Sequence, residues 1–112
     1  MIMHIRALFP YANIKATANV EEAKSILNEN NFDVLFLDHD LGGKAFVDSN
    51  EENTGYQLSK FIDEAGIKYK LCVVHSLNYP GAMRMMKNLK NSFYLPVIMW
   101  NKENLDYTFK LV

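Results

Sequence analysis

Apolar positions along this chain alternate between stripes at helical spacing and short continuous runs. Ile2, Ile5, Leu8 and Phe9 recur at helical spacing up to Pro10, which predicts an opening helix closed by the proline. Ile14, Ala16 and Ala18 alternate with polar residues and predict a short strand. Asn19 with Glu22 three residues on forms a capping box, and Val20, Ala23, Ile26 and Leu27 form the stripe of the helix it starts, which Asn30-Asn31 ends. Val34, Leu35, Phe36 and Leu37 are a continuous apolar run, the signature of a strand buried on both faces. Thr54 and Gln57 make a second capping box, Leu58, Phe61, Ile62 and Ala65 the next stripe, and Gly66 its stop. A second strand follows over Leu71–Val74. Pro80 suits a first helical position, ahead of the stripe Ala82, Met85, Met86 and Leu89, whose methionines read as core filling. Residues 94–100 predict a third apolar strand, assigned to a sheet edge because Pro96 lacks a ladder donor. Tyr107, Phe109 and Leu111 alternate in a tail that predicts a last strand.

Alternation of helix and strand predicts an α/β fold, a parallel sheet with helices on both faces and right-handed crossovers. At 112 residues, with no repeat or linker, residues 1–112 make one domain. A net charge of −1 gives no field to hold long duplex nucleic acid, leaving a small ligand or a nucleic-acid end as candidate partners. Cys72 is the only cysteine and falls in an apolar run, so it reads as a packed core thiol and forms no internal disulfide. Neither a membrane span nor a signal peptide is evident, which predicts a cytoplasmic protein.

The chemistry concentrates where the strands end. Val34–Leu37 breaks into Asp38-His39-Asp40 before Leu41-Gly42-Gly43, and Leu71–Val74 breaks into His75-Ser76-Leu77-Asn78. In open α/β sheets ligands bind beyond the carboxyl ends of the strands. Neighbouring parallel strands lie about 4.8 Å apart, so the two clusters should share a rim. The helix starting at Pro80-Gly81 should aim its free amides there and favour a phosphate. Each group also has a plainer role. Asp38 could be a turn former, His39 a solvated loop residue and His75 a satisfied core histidine, while Ser76 and Asn78 could simply cap the helix. The polar loop of residues 41–53 is longer than usual and could be a binding segment or a solvated insertion.

The sequence Leu37-Asp38-His39-Asp40-Leu41-Gly42, then Thr54-Gly55-Tyr56, then Val74-His75-Ser76-Leu77-Asn78-Tyr79-Pro80-Gly81-Ala82, resembles the cyclic-phosphate processing receiver domain, a divergent relative of the response-regulator receiver. The likeness runs from about Ile14 to the end of the chain. It implies a flavodoxin-like fold and a role in processing cyclic phosphates in RNA repair or nucleotide signalling. By this resemblance Asp38 matches the receiver's acceptor aspartate and Ser76 its hydroxyl position. His39, Asp40, His75 and Asn78 match what sets the family apart from ordinary receivers.

Two features depart from the receiver pattern. Receivers begin with a strand ending in acidic, metal-holding residues, whereas the first acidic residue here is Glu21. The chain therefore reads as N-terminally truncated by one central strand. Two expectations follow from that reading: an upstream apolar strand ending in an acidic residue, or self-association through the strands at Ile14 and Val34. Receivers also carry a lysine after the last strand, and Lys102 is the candidate substitute. The leading functional expectation is a phosphoesterase. Asp38, His39 and His75 are its catalytic candidates, Ser76, Asn78 and Gly81 its phosphate contacts, and Asp38 and Asp40 the ligands of a Mg²⁺ or Mn²⁺ ion. The alternatives are a receiver-like signalling or binding module, with Asp38 as phosphoacceptor or anion site, and an inactive truncated remnant.

Overall fold

The computed structural model describes residues 10–40 and 52–96. In chain order they form α1 (Val20–Glu29), β1 (Val34–Leu37), α2 (Gly55–Glu64), β2 (Leu71–Val74), α3 (Tyr79–Asn88) and β3 (Ser92–Tyr94). The opening helix expected at residues 2–9, most of the long loop, Lys102 and the strand expected in the tail lie outside the described residues.

The helix boundaries follow from side chains that satisfy end groups. Asn19 Oδ1 accepts the Glu22 N–H at 3.0 Å to open α1, and the Val20 N–H reaches across to Asn53 Oδ1 at 2.9 Å. Thr54 Oγ1 accepts the Gln57 N–H at 3.3 Å to open α2. Gly66, at φ +65°, takes the left-handed conformation that ends it. Helix α3 opens on Asn78, whose Oδ1 accepts the Gly81 N–H at 3.0 Å. Pro80 follows Tyr79 in the first turn, where its missing N–H leaves no helical bond unmade.

The strands are parallel and lie in the order β1-β2-β3, with Leu37 opposite Val74 and Val74 opposite Tyr94. Two right-handed crossovers stepping the same way across a sheet put both connecting helices on one face. Accordingly Leu58 and Ile62 of α2, and Ala82 and Met85 of α3, pack with Leu35, Cys72 and Val74. Val20, Ala23 and Leu27 of α1 complete that core. On the opposite face Leu71 and Val73 pack with Ile14, Val34, Phe36, Phe93 and Leu95. A helix on this second face requires a reversal of strand order, which the described residues do not include.

Several expectations change. Residues 11–19 form no strand: Ala16 and Ala18 are exposed, and the Asn19 N–H goes to Thr17 Oγ1 at 3.1 Å, turning the chain into α1. Only Ile14 of the three alternating residues packs on the sheet, too little apolar surface to hold a ladder. Among the described residues β1 is an edge strand, with Leu35 buried and its neighbours half-buried, whereas β2 is buried throughout. Ala65 is exposed at the C-cap of α2 and is not part of its buried stripe. The third strand begins earlier than expected, at Ser92, and its ladder closes with the Leu95 N–H on the Val74 carbonyl at 2.9 Å, just before the proline.

Gly55 marks the tightest approach of α2 to the sheet. A β-carbon there would collide with the Asp38 carbonyl and lie 2.9 Å from His39 Cα. Glycine to alanine in a helix ordinarily stabilises by up to about 1 kcal/mol. Here the sign should reverse: we expect Gly55→Ala to destabilise by roughly 2–3 kcal/mol, the range of overpacking. Urea denaturation measures this, and a variant as stable as the parent would show that α2 does not abut Asp38.

Candidate functional site

Register builds the rim. The His75 N–H donates to the Leu37 carbonyl at 3.0 Å, one step beyond the last paired residues. Asp38 and His75 therefore leave adjacent strands side by side, on the shared rim expected from the sequence. The chain then turns: Asp38 Oδ1 accepts the Asp40 N–H at 3.3 Å, and the Gly55 N–H donates to the His39 carbonyl at 2.8 Å. An antiparallel bridge joins Asp40 to the fully buried Thr54. The Asp-His-Asp turn is thus braced by the start of α2. The Thr54-Gly55 pair carries this brace, and the capping box alone did not reveal it.

His39 is 0% exposed, which corrects the plain reading of it as a solvated loop residue. Its Nδ1 lies 2.9 Å from Asp40 Oδ1 and 3.2 Å from Asn78 Nδ2, and Asn78 Nδ2 lies 3.2 Å from the same Asp40 oxygen. Because Asn78 Oδ1 accepts from Gly81, its amide nitrogen must face this cluster. Both nitrogens then donate to Asp40, which places a proton on His39 Nδ1; a bare Nδ1 would set two lone pairs against each other. The imidazole also lies against Gly81, where an added β-carbon would stand 2.6 Å from the ring's Cγ and Cδ2.

The second cluster is also enclosed. His75 is 5% exposed and Ser76 is 1% exposed. Ser76 Oγ accepts the Asn78 N–H at 3.0 Å and keeps its own O–H for donation. Tyr94, outside every motif, fixes this turn by donating its hydroxyl to the Ser76 carbonyl at 2.9 Å, with its ring edge-on to Tyr79 at 5.3 Å. Burial lowers the pKa of His75 from its ordinary 6.5, and the neighbouring Asp38 carboxylate opposes part of that shift. Cys72 is buried and its thiol is pushed up to about 12, so it stays a packed thiol.

The rim thus brings together Asp38, His39, Asp40, His75, Ser76, Asn78 and Gly81. Two amides of the α3 start are already engaged: Gly81 N–H with Asn78 Oδ1, and Ala82 N–H with the Asn78 carbonyl at 2.8 Å. No group of three or more His, Cys, Asp or Glu side chains is arranged to hold a metal among the described residues. Asp38 and Asp40 are the carboxylates of this rim that could contribute to holding a Mg²⁺ or Mn²⁺ ion. A groove of about 770 Å³ runs between residues 11–19, α1 and β1, and reaches Asp38 and His75. No described helix is long and apolar enough to cross a membrane.

Parallel strands in sequential order, crossovers on one face and a polar rim at the carboxyl ends define a receiver-like α/β domain. Residues 5–91 match the model of the cyclic-phosphate processing receiver domain, and the chain belongs to that family. No curated protein and no solved structure matches it.

The lowered His75 pKa fixes the sign of a stability change. The unfolded chain takes up this proton near the ordinary 6.5, while the folded one resists it until lower pH. Stability from this group is therefore complete above about pH 6.5 and declines as pH falls toward the folded value. Thermal melts between pH 7 and pH 5 should fall less steeply for His75→Gln than for the parent. Equal slopes would mean that His75 is not held neutral by the fold.

Proposed function

We propose that this domain is a phosphoesterase acting on cyclic phosphates, as free nucleotides or as the 2′,3′-cyclic end of an RNA. The observation that carries the reading is the juxtaposition of Asp38 and His75 on adjacent strand ends, beside the start of α3. An imidazole whose burial favours the neutral form is suited to take a proton from an attacking water. The Asp38 carboxylate beside it favours the imidazolium that results, which can return the proton to the leaving oxygen. Ser76 contributes a hydroxyl donor for a phosphate oxygen, and the positive end of α3 favours the anion. Asn78 and Gly81 belong to the same phosphate subsite. RNA repair or nucleotide signalling is the setting this substrate class suggests.

We expect 2′,3′-cyclic AMP to be hydrolysed, and Asp38→Asn and His75→Ala each to reduce kcat by about 10²–10⁴-fold with the fold intact, the span of a lost acid–base group. Turnover with and without Mg²⁺ or Mn²⁺ tests the ion at Asp38 and Asp40. Parent-like rates in either variant would remove that residue from the mechanism. Absence of turnover, together with an acid-stable, alkali-labile phosphoryl group on Asp38 after treatment with acetyl phosphate, would favour the receiver-like signalling module instead.

A further inference from the structure

The two histidines of the rim differ in what surrounds them. His39 is sealed, with Nδ1 against Asp40 and its ring against the backbone of Gly81. Asn78 closes the same cluster from above: its side chain caps α3 through Oδ1 and meets Asp40 through Nδ2. One imidazole thus touches both the turn after β1 and the first turn of α3. A ring in that position has its Nδ1 proton committed to Asp40 and its flank committed to glycine.

We propose that His39 is a positioning residue: its Nδ1–H holds the Asp40 carboxylate and its ring seats on Gly81, which locks the start of α3 to the end of β1. Proton transfer at this rim then belongs to His75. Glycine at position 81 is required by the imidazole at 39, independently of any phosphate. The seating of the ring stands on geometry alone, whereas the division of labour between the histidines rests on the phosphoesterase reading.

A stability cycle tests the seating. Gly81→Ala should lower the Tm by roughly 5–15 °C, the effect of overpacking in a domain of this size. Combined with His39→Ala, which removes the Cγ, Cδ2 and Nδ1 atoms that the methyl would meet, the further loss caused by Gly81→Ala should shrink by at least half. Strictly additive losses would overturn the proposal. The ¹⁵N shifts of the parent's imidazoles provide a measurement that needs no variant: His39 should carry its proton on Nδ1, and a neutral ring protonated only on Nε2 would overturn it.

Turnover of 2′,3′-cyclic AMP tests the division of labour. His39→Ala should lose activity, and His39→Asn should restore kcat/KM to within about tenfold of the parent, since its amide can donate where Nδ1–H stood. His75→Asn should show no such rescue. A loss of 10²–10⁴-fold in His39→Asn, with one limb of the pH profile gone, would make His39 a proton-transfer group and overturn the assignment. Failure of the parent to turn over would count against the phosphoesterase reading and against His75 as its acid–base, while the cycle and the ¹⁵N shifts still decide the seating.

Discussion

The hydrogen bond from the His75 N–H to the Leu37 carbonyl sets what the rest of the rim can be. It prolongs the β1–β2 ladder by one step, so both strands finish at the same level. Because side chains alternate along a strand, a slip of one residue would send the apolar side chains of β2 to the wrong faces. The slip is resisted on both faces, since Cys72 and Val74 fill one core and Leu71 and Val73 the other. The position of Asp38 beside His75 is thus enforced by hydrophobic packing several residues below the chemistry.

Above that ladder, two glycines permit the close approaches on which the site depends. Gly55 lets the start of α2 lie against the Asp38 carbonyl, while its N–H bonds the His39 carbonyl. Gly81 lets the start of α3 lie against the imidazole. Both stand in the first turn of their helices, where a missing side chain costs little helical stability beside what a clash would cost. The Asp-His-Asp turn is consequently clasped between two helix N-termini. Its backbone is fixed from one side and its side chains from the other.

Much of this was legible in the sequence because the signals were local. Asn19, Thr54 and Gly66 announced helix ends through their own hydrogen bonds or backbone geometry, and Val34–Leu37 and Leu71–Val74 announced strands by length and apolarity. The plainer reading of Asn78 as a cap describes its Oδ1 correctly. What the sequence withheld depends on partners distant in the chain. An apolar run does not state how many neighbours a strand has, so β1 read as buried on both faces although it is half-buried and lies at an edge of the described sheet. Alternation around Ile14 looked like a strand because period alone cannot count the apolar area available for pairing. The burial of His39 arises from Gly81, 42 positions away, and Tyr94 reaches Ser76 from a strand whose start was placed too late.

The start of α3 shows why geometry refines a phosphate site drawn from motif and helix dipole. An N-terminal turn attracts anions through its unsatisfied amides, yet here Asn78 already supplies an oxygen to Gly81. A phosphate claiming that amide must displace a side-chain cap, an exchange of about 1 kcal/mol on the protein's side. A charge-assisted bond to phosphate is strong enough to outweigh that loss. The displaced Asn78 would, however, also swing its amide nitrogen away from Asp40. Anion binding at this amide and the hold on the Asp40 carboxylate are therefore linked through one side chain, and a phosphate that engages Gly81 alters the number of donors on Asp40. A phosphate held instead by the Ser76 hydroxyl at the His75 side leaves that link intact. The two modes differ in whether Asn78 moves, and it is the position of Asn78 between Gly81 and Asp40 that would couple a phosphate at the α3 start to that carboxylate.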